Sequence, residues 1–257
     1  MILEKITENA SITRSLERLF RMKISLLFCM VFFLTGLKSS GISVVNNLNF
    51  DFYSQEHGLS NNQIHSILQD KKGWMWIGTS QGVCRFDGYK FTIFKNDPED
   101  PASLKGNLVR AIFEDSKGQL WIGTENGGLN KFNREKENFK QLFYKGDTAT
   151  LKDASVTSIH EDAAGILWVG TETRLYRIEN EKSITEIKPA NLSSFSDYFR
   201  VLRSDKSGHI WIGANNGLFV YDPTTNVATK LDLTPSFSAN QEIWEIVIED
   251  DRTIWVG

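Results

Sequence analysis

One ten-residue string constrains the fold more than any other feature, because it recurs along the chain at a nearly fixed interval. It reads D-K-K-G-W-M-W-I-G-T from Asp70, and related strings begin at Asp115, Asp162, Asp205 and Asp250. The last tryptophan of each string falls at position 76, 121, 168, 211 or 255, so the steps are 45, 47, 43 and 44 residues. A period of this length with one Trp and one Gly per unit is typical of the blades of a β-propeller.

The chemistry inside each string predicts how a blade is built. Asp at the first position and Gly at the fourth favour a type I turn between two antiparallel strands. The residues that follow are apolar without alternation, which predicts a strand buried on both faces between neighbouring blades. The Trp and the Gly two residues later share one face, where the missing side chain leaves room for a bulky group of the next sheet. We therefore expect a structural role in the repeat for Asp70, Gly73, Trp76, Gly78, Asp115, Gly118, Trp121, Gly123, Asp162, Gly165, Trp168, Gly170, Asp205, Gly208, Trp211, Gly213, Asp250, Trp255 and Gly257.

The sequence predicts an all-β fold, a β-propeller of four-stranded antiparallel blades over residues 48–257. Inner strands are predicted at 64–69, 109–114, 156–161, 199–204 and 243–249, each followed by its turn, its Trp strand, a third strand and an outer strand. The last residue printed lies inside the fifth Trp strand, so we expect an incomplete propeller of about four and a half blades, truncated at its C-terminus. Residues 50–53 are similar to the predicted outer strands at 91–94 and 139–143, and we expect them to form such a strand and complete the last blade.

The segment before the repeats has the pattern of an export signal. Residues 24–36 are uncharged and mostly apolar, with Arg21 and Lys23 before them and small residues after them. This run is shorter than the roughly 20 apolar residues of a spanning helix, so we expect a signal peptide region over 1–41, with Met22 as the true start. A retained N-terminal anchor is the alternative.

Composition and the scattered polar residues exclude several classes of function. A formal net charge of -3 without a basic patch argues against a nucleic-acid partner. The four histidines are isolated and the two cysteines are far apart, so we expect no metal site and no cofactor. We interpret His160 as structural, because it lies in an inner strand that runs into a blade turn. The Asp-x-x-Gly-x-x-Trp pattern also resembles the aspartate box of sialidases, but no catalytic pair of carboxylates stands out.

Candidate ligand-binding residues lie on the side of the blades opposite the Asp-x-x-Gly turns, where the loops between blades vary in length. The second position of the inner strand is polar or aromatic and differs in every copy, although its neighbours are apolar. In addition, one copy carries an arginine where the others have a turn glycine. The candidates are His65, Arg110, Thr157, Arg200, Trp244 and Arg174. Solvated variation around a water-filled channel is the alternative interpretation.

Several segments together resemble the two-component regulator propeller repeat. They are the run from Gly58 to Ile64, the strings ending at Asp70 and Thr79, the run from Gly82 to Gly88, and the loop 97–104. The resemblance implies the periplasmic sensor region of hybrid two-component histidine kinases of the Bacteroidetes type, of which this chain would be an N-terminal fragment. It implies an exported protein on the periplasmic side of the inner membrane, anchored there in its full length. It also implies downstream kinase domains, a homodimer of the full-length sensor, and oligosaccharides from glycan breakdown as ligands.

Three functions follow from these observations. The first is an extracytoplasmic sensor module that binds a ligand and has no catalytic machinery of its own. The residues after His160 and Glu161 differ from those that follow a phosphorylated histidine in such kinases, and no nucleotide-binding box is present, so we expect no enzyme activity in this chain. The second is a periplasmic scaffold that binds proteins, and the third is an exported propeller enzyme that acts on glycans.

Overall fold

Antiparallel strands joined by tight turns make up nearly all of the regular structure. The structure is a computed structural model, and it describes residues 50–142, 151, 154–181, 183–192, 198–233, 242–249 and 253–257. The chain divides into Met1–Asp51 and Phe52–Gly257. The predicted signal peptide region 1–41, with Met22, lies outside the described residues.

The strands form four sheets of four strands and one sheet of two. In each larger sheet the strands follow one another in chain order, and every pair is antiparallel. The first sheet contains β1 Ile64–Gln69, β2 Met75–Thr79, β3 Gly82–Phe86 and β4 Phe91–Phe94. The second contains β5 Val109–Glu114, β6 Leu120–Thr124, β7 Gly128–Asn133 and β8 Asn138–Gln141. The third contains β9 Val156–Glu161, β10 Leu167–Thr171, β11 Leu175–Asn180 and β12 Ser183–Glu186.

The fourth sheet contains β13 Phe199–Ser204, β14 Ile210–Ala214, β15 Gly217–Asp222 and β16 Val227–Lys230, and the fifth contains β17 Ile246–Ile248 and β18 Ile254–Val256. We call these sheets blades 1 to 5. The first four inner strands have the bounds that the sequence predicts. The fifth is shorter than predicted and begins at Ile246. Among the described residues the other regular element is a short 3-10 turn, Gln55–His57, and none of their helices is long or apolar enough to span a membrane.

Buried clusters lie between successive blades, and a tryptophan contributes to each. Trp76 packs with Phe132 of blade 2, with ring centroids 4.9 Å apart. Trp121 shares a cluster with residues of blade 3, and Trp168 packs 5.9 Å from the ring of Tyr221 in blade 4. Trp211 packs against the cluster that joins blades 4 and 5. The Trp strand is therefore the part of each blade against which the next blade packs.

The glycine two residues after each Trp makes room for the first residue of the next inner strand. A Cβ atom on Gly123 would lie 2.5 Å from Cγ1 of Val156, and one on Gly78 would lie 2.7 Å from Cγ1 of Val109. Carbon atoms do not approach each other so closely, so any side chain here would push the neighbouring blade away.

Two expectations about the ends of the repeat region are wrong. Trp76 and Trp168 are completely buried, but 63% of Trp255 is exposed, because no sheet of the described residues packs on its open face. Residues 50–53 do not form the expected outer strand, and Phe50 and Phe52 are largely exposed. Instead, the ring of Tyr53 packs 5.2 and 5.8 Å from those of Phe86 and Phe91, so this residue contacts blade 1 through its side chain rather than through ladder hydrogen bonds.

Candidate functional site: a row of bulges at the loop ends of the inner strands

The Asp-x-x-Gly turns form one side of each blade, and their aspartates have the same hydrogen bonds in four copies. In blade 3, one oxygen of Asp162 accepts the backbone N–H groups of Ala164 and Ile166 at 2.9 and 3.0 Å. The other oxygen accepts the indole N–H of Trp168 at 2.8 Å. We call this arrangement the carboxylate clasp. It recurs around Asp70, Asp115 and Asp205.

The fifth copy keeps the indole hydrogen bond of the clasp with a different residue. Trp255 donates its indole N–H to Glu249 at 2.9 Å, and Glu249 lies six residues before the tryptophan, as the aspartates do. The backbone N–H of Glu249 also bonds to the carbonyl of Thr253, as that of Asp70 bonds to Trp74. The fifth copy therefore begins at Glu249 and not at Asp250, which lies outside the described residues.

At the opposite end of each inner strand, the predicted second position is a β-bulge. The ladder between β1 and β2 pairs Ile64 with Thr79 and then Ser66 with Gly78, so His65 has no partner. The same shift leaves out Arg110, Thr157 and Arg200 in the next three blades. In blade 5, the N–H groups of both Trp244 and Glu245 donate to the carbonyl of Gly257. A bulge releases one residue from the ladder and redirects its side chain, so one chemically variable residue is released in each blade.

The bulge residues of blades 1 and 2 lie close enough to interact. His65 Nε2 is 2.9 Å from the hydroxyl of Ser80, and Arg110 donates to Glu125 through Nη2 at 2.5 Å and through Nε at 3.1 Å. Burial lowers the pKa of His65, the guanidinium of Arg110 lowers it further, and Glu125 partly offsets this. Both ion-pair partners are about one third exposed.

The bulge residues of blades 4 and 5 stack on each other. The guanidinium carbon of Arg200 lies 3.6 Å from the ring centroid of Trp244 and 4.9 Å from that of Tyr198. Arg200 also donates to Glu242 at 2.9 Å. The indole of Trp244 nevertheless remains 62% exposed. Burial raises the pKa of the Tyr198 hydroxyl.

Thr157 is the bulge residue of blade 3, but its hydroxyl is committed to the backbone. It lies 3.1 Å from the carbonyl oxygen of Gly170 and 2.5 Å from that of Phe199, the first residue of the next inner strand. This contact joins blades 3 and 4 and leaves little of the hydroxyl for a ligand.

Arg174 lies apart from this row in the contacts of the described residues. It donates to Glu186 across the third and fourth strands at 2.5 Å, and Thr171 holds its turn through backbone and hydroxyl hydrogen bonds. The equivalent Gly82 has a φ of +106°, whereas Arg174 does not adopt a positive φ. The turn differs from the others, so the arginine is accommodated without strain.

The sequence analysis missed the other polar and aromatic residues that complete the row. Ser80 and Glu125 bond to bulge residues, and both lie four residues after the Trp of their strand, as Glu172 does. Reading that aligned position would have revealed them. Tyr198 and Glu242 lie in loops, and no repeat pattern marks them.

His160, which we interpreted as structural, lies in β9 with Nε2 2.9 Å from the hydroxyl of Ser204 in the next inner strand. Burial, with a smaller contribution from Arg203, lowers its pKa to about 4. The ring is thus a neutral hydrogen-bonding group between blades 3 and 4 at neutral pH.

Repeated four-stranded blades, each with a Trp strand, a carboxylate clasp and a bulge, define the chain as a β-propeller. The family model of the two-component regulator propeller matches residues 58–81, 103–126 and 150–173, which are segments of the first three repeats. These three segments match the two-component regulator propeller repeat, so the resemblance found in the sequence is confirmed.

Similar proteins include a histidine kinase and an extracellular domain of a two-component system. The chain is 41% identical over 59 residues to histidine kinase P4 of Formosa agariphila, a match that covers 23% of this chain and 4% of the kinase. The extracellular domain of a hybrid two-component system of B. thetaiotaomicron is 25% identical with a TM-score of 0.69, over 80% of this chain and 29% of that one. A virginiamycin B lyase of Staphylococcus aureus shares the fold, with a TM-score of 0.56 and 19% identity over 76% of this chain and 62% of the lyase. The chain thus spans only a small part of the two signalling proteins.

Proposed function

We propose that Phe52–Gly257 is a ligand-recognition propeller in the extracellular sensor region of a two-component signalling protein, and that its ligands are oligosaccharides derived from glycans. The likeness to the extracellular domain of a hybrid two-component system supports the sensor role. The exposed indole of Trp244, held in place at one end of the row of bulges, is the observation that carries the choice of ligand.

Trp244 has the properties of a platform for a sugar ring. The apolar C–H faces of a pyranose stack on aromatic rings, and a rigid aromatic residue loses little conformational entropy when it binds. Arg200 lies against this indole at 3.6 Å and is itself bonded to Glu242, so the ring has a fixed neighbour while most of its surface remains accessible.

The rest of the row offers hydrogen-bonding groups for sugar hydroxyls. Arg110 and Glu125 hold each other in place and remain about one third exposed, and His65 is fixed by Ser80. A sugar hydroxyl both donates and accepts, so mixed donors and acceptors suit it better than a surface of one charge. Both Glu125 and Glu242 are engaged by guanidinium groups, which favours recognition over acid–base catalysis.

In the full-length protein we propose that this propeller is exported and lies on the periplasmic side of the inner membrane. Ligand binding would be passed to downstream kinase domains, in a homodimeric sensor. The match to a histidine kinase supports this arrangement. The domain assignment, with a signal peptide region over 1–41 and repeats over 48–257, belongs to the same proposal.

A titration of tryptophan fluorescence with a panel of glycan oligosaccharides tests the proposal. We expect a saturable change that Trp244→Ala removes. Trp255→Ala is the matched control, because Trp255 is 63% exposed but lies in the Trp strand of blade 5, and this variant should bind as the parent does. Unchanged binding by Trp244→Ala would exclude the proposed site, and the absence of binding to every oligosaccharide would favour a protein-binding scaffold. Chromatography of the incubated oligosaccharides detects turnover, which would favour the enzyme alternative.

A further inference from the structure

The junction between blades 1 and 2 is filled by one arginine on the side of the carboxylate clasps. Arg134 donates through Nη1 to Asp70 at 2.7 Å, through Nη2 to Glu114 at 2.7 Å, and through Nε to the carbonyl of Gly118 at 3.2 Å. Its side chain is only 16% exposed. Burial would raise the pKa of Asp70, but the hydrogen bonds from Arg134 and Trp76 hold it below its ordinary value. The guanidinium thus connects two turns and two carboxylates.

The junction between blades 2 and 3 has the same three acceptor groups but lacks the arginine. Its Glu161 also accepts hydrogen bonds from Ser116, from the backbone N–H at 2.6 Å and from the hydroxyl at 2.9 Å, and each oxygen keeps a second lone pair. Asp115 is the clasp residue that corresponds to Asp70, Glu161 ends its inner strand as Glu114 does, and Gly165 corresponds to Gly118. The residue that corresponds to Arg134 follows from the ladders. Arg134 lies three residues after the strand partner of Trp121, and the residue three after the partner of Trp168 is Asn180.

A cavity of about 350 Å³ lies where the guanidinium would be. Asp115, Glu161, Gly165 and Asn180 all line it, together with Trp121. Asp115 is 6% exposed, and its Oδ2 atom accepts a hydrogen bond from the indole N–H of Trp121 at 2.9 Å. Lys131 at the wall of the cavity does not replace the arginine, because its ammonium bonds to Glu181 at 2.7 Å.

We propose that this cavity binds a guanidinium group, presented by an arginine side chain of a partner polypeptide. The junction between blades 1 and 2 shows that these three acceptors suit a guanidinium group, because there each of them accepts one hydrogen bond from Nε, Nη1 or Nη2 of Arg134. A planar guanidinium donates in several fixed directions, which an ammonium cannot reproduce, so the cavity distinguishes arginine from lysine. This site lies on the clasp side of the blades, away from the row of bulges, and does not depend on the proposed function.

Calorimetric titration with N-acetylarginine amide tests the site, with the citrulline analogue as a neutral probe of the same shape. We expect weak binding, with a Kd on the order of 1 mM for so small a probe, and at least about ten-fold weaker binding of citrulline. Equal affinity for both probes, or binding of neither, would overturn the proposal.

Two variants place the probe in this cavity. Asn180→Arg should supply the guanidinium from the chain itself, abolish probe binding and raise Tm by about 2–4 °C. Arg134→Asn should open the equivalent space between blades 1 and 2 and raise the number of bound probes from one to two. If Asn180→Arg folds and still binds the probe, the site lies elsewhere. If it does not fold, the stoichiometry of Arg134→Asn decides, and an unchanged value contradicts the assignment.

Discussion

Replacement of Asp162 by Ala tests how strongly a blade depends on its carboxylate clasp. Asp162 accepts two backbone N–H groups of its turn and the indole N–H of Trp168. Trp168 is completely buried, so its donor would lose its partner away from water, which costs about 1–3 kcal/mol. The turn lies at the surface, where water can replace the carboxylate, and we assign about 1 kcal/mol to its two bonds together. The expected decrease in the free energy of unfolding is about 3 kcal/mol in total.

Glu249→Ala is the matched control, because the same indole bond ends on an exposed ring. Trp255 is 63% exposed, so water should satisfy its N–H and the free energy of unfolding should change by less than about 0.5 kcal/mol. Asp162→Asn should lose about 1 kcal/mol less than Asp162→Ala. Its amide oxygen can accept the turn N–H groups, but its NH₂ group then faces the indole N–H of Trp168, which is also a donor.

Local measurements suit this test better than a single melting curve, since repeat proteins need not unfold in one step. Hydrogen exchange of the amides in β10 reports the opening of blade 3, and urea unfolding followed by tryptophan emission reports the whole chain. In a Trp168→Phe background, Asp162→Ala should cost only about 1 kcal/mol, which isolates the indole bond. Two results would refute the assignment of the cost to the buried indole. One is an equal loss of stability in Asp162→Ala and Glu249→Ala, and the other is a cost of Asp162→Ala that is the same with Phe as with Trp at position 168.

The remaining predictions concern pH, packing and one turn. His160 has a pKa of about 4 in the folded chain and 6.5 as its ordinary value, so the unfolded chain binds the proton first and stability falls as the pH decreases from 6.5 to 4. Urea titrations should show a loss of about 3 kcal/mol over this range that His160→Gln lacks, and parallel curves would contradict this. Gly123→Ala should lower the free energy of unfolding by about 1–3 kcal/mol, because the added Cβ atom would collide with Val156. Val156→Ala in the same chain should restore part of this loss, and a double variant that shows the full loss would place the collision elsewhere. Arg174→Gly removes the ion pair with Glu186, so it should lower stability by less than about 1 kcal/mol and leave oligosaccharide binding unchanged, whereas lost binding would place Arg174 in the site.

Much of the blade could be predicted from the sequence because its determinants are local. Asp and Gly set a turn within four residues, and the spacing of Trp and Gly sets which face meets the next blade. Thus the inner strand Val109–Glu114 and the close approach of Gly123 to Val156 follow from the pattern. The fifth copy was misaligned by one residue, since the alignment matched the side chain of Asp250 rather than the distance of Glu249 from its tryptophan.

The features that the sequence could not reveal depend on relations between strands. A bulge exists only when two residues oppose one, so the variable position of His65 was visible but not its release from the ladder. The exposure of Trp255 depends on whether another sheet covers it, and its immediate neighbours, Ile254 and Val256, are as apolar as those of the buried tryptophans. Arg134 carries no motif, and its role appears only when its contacts with Asp70 are compared with those of Asn180 in the next blade.

The bulges explain how one scaffold can vary its recognition residues without losing its packing. A residue within the ladder points into a blade interface, where even the methyl group of an alanine at Gly123 would collide with the next strand. The side chain of a bulge residue points away from the blade interface, so Arg110 and Trp244 can differ in size and charge. The apolar residue before each of them still contacts the Trp-strand glycine of the preceding blade. Thr157 shows the limit of this freedom, because its hydroxyl bonds to the backbone of the next blade. Substitutions at Arg110 or Trp244 should therefore alter ligand binding more than stability, whereas Thr157→Val should alter stability more than binding.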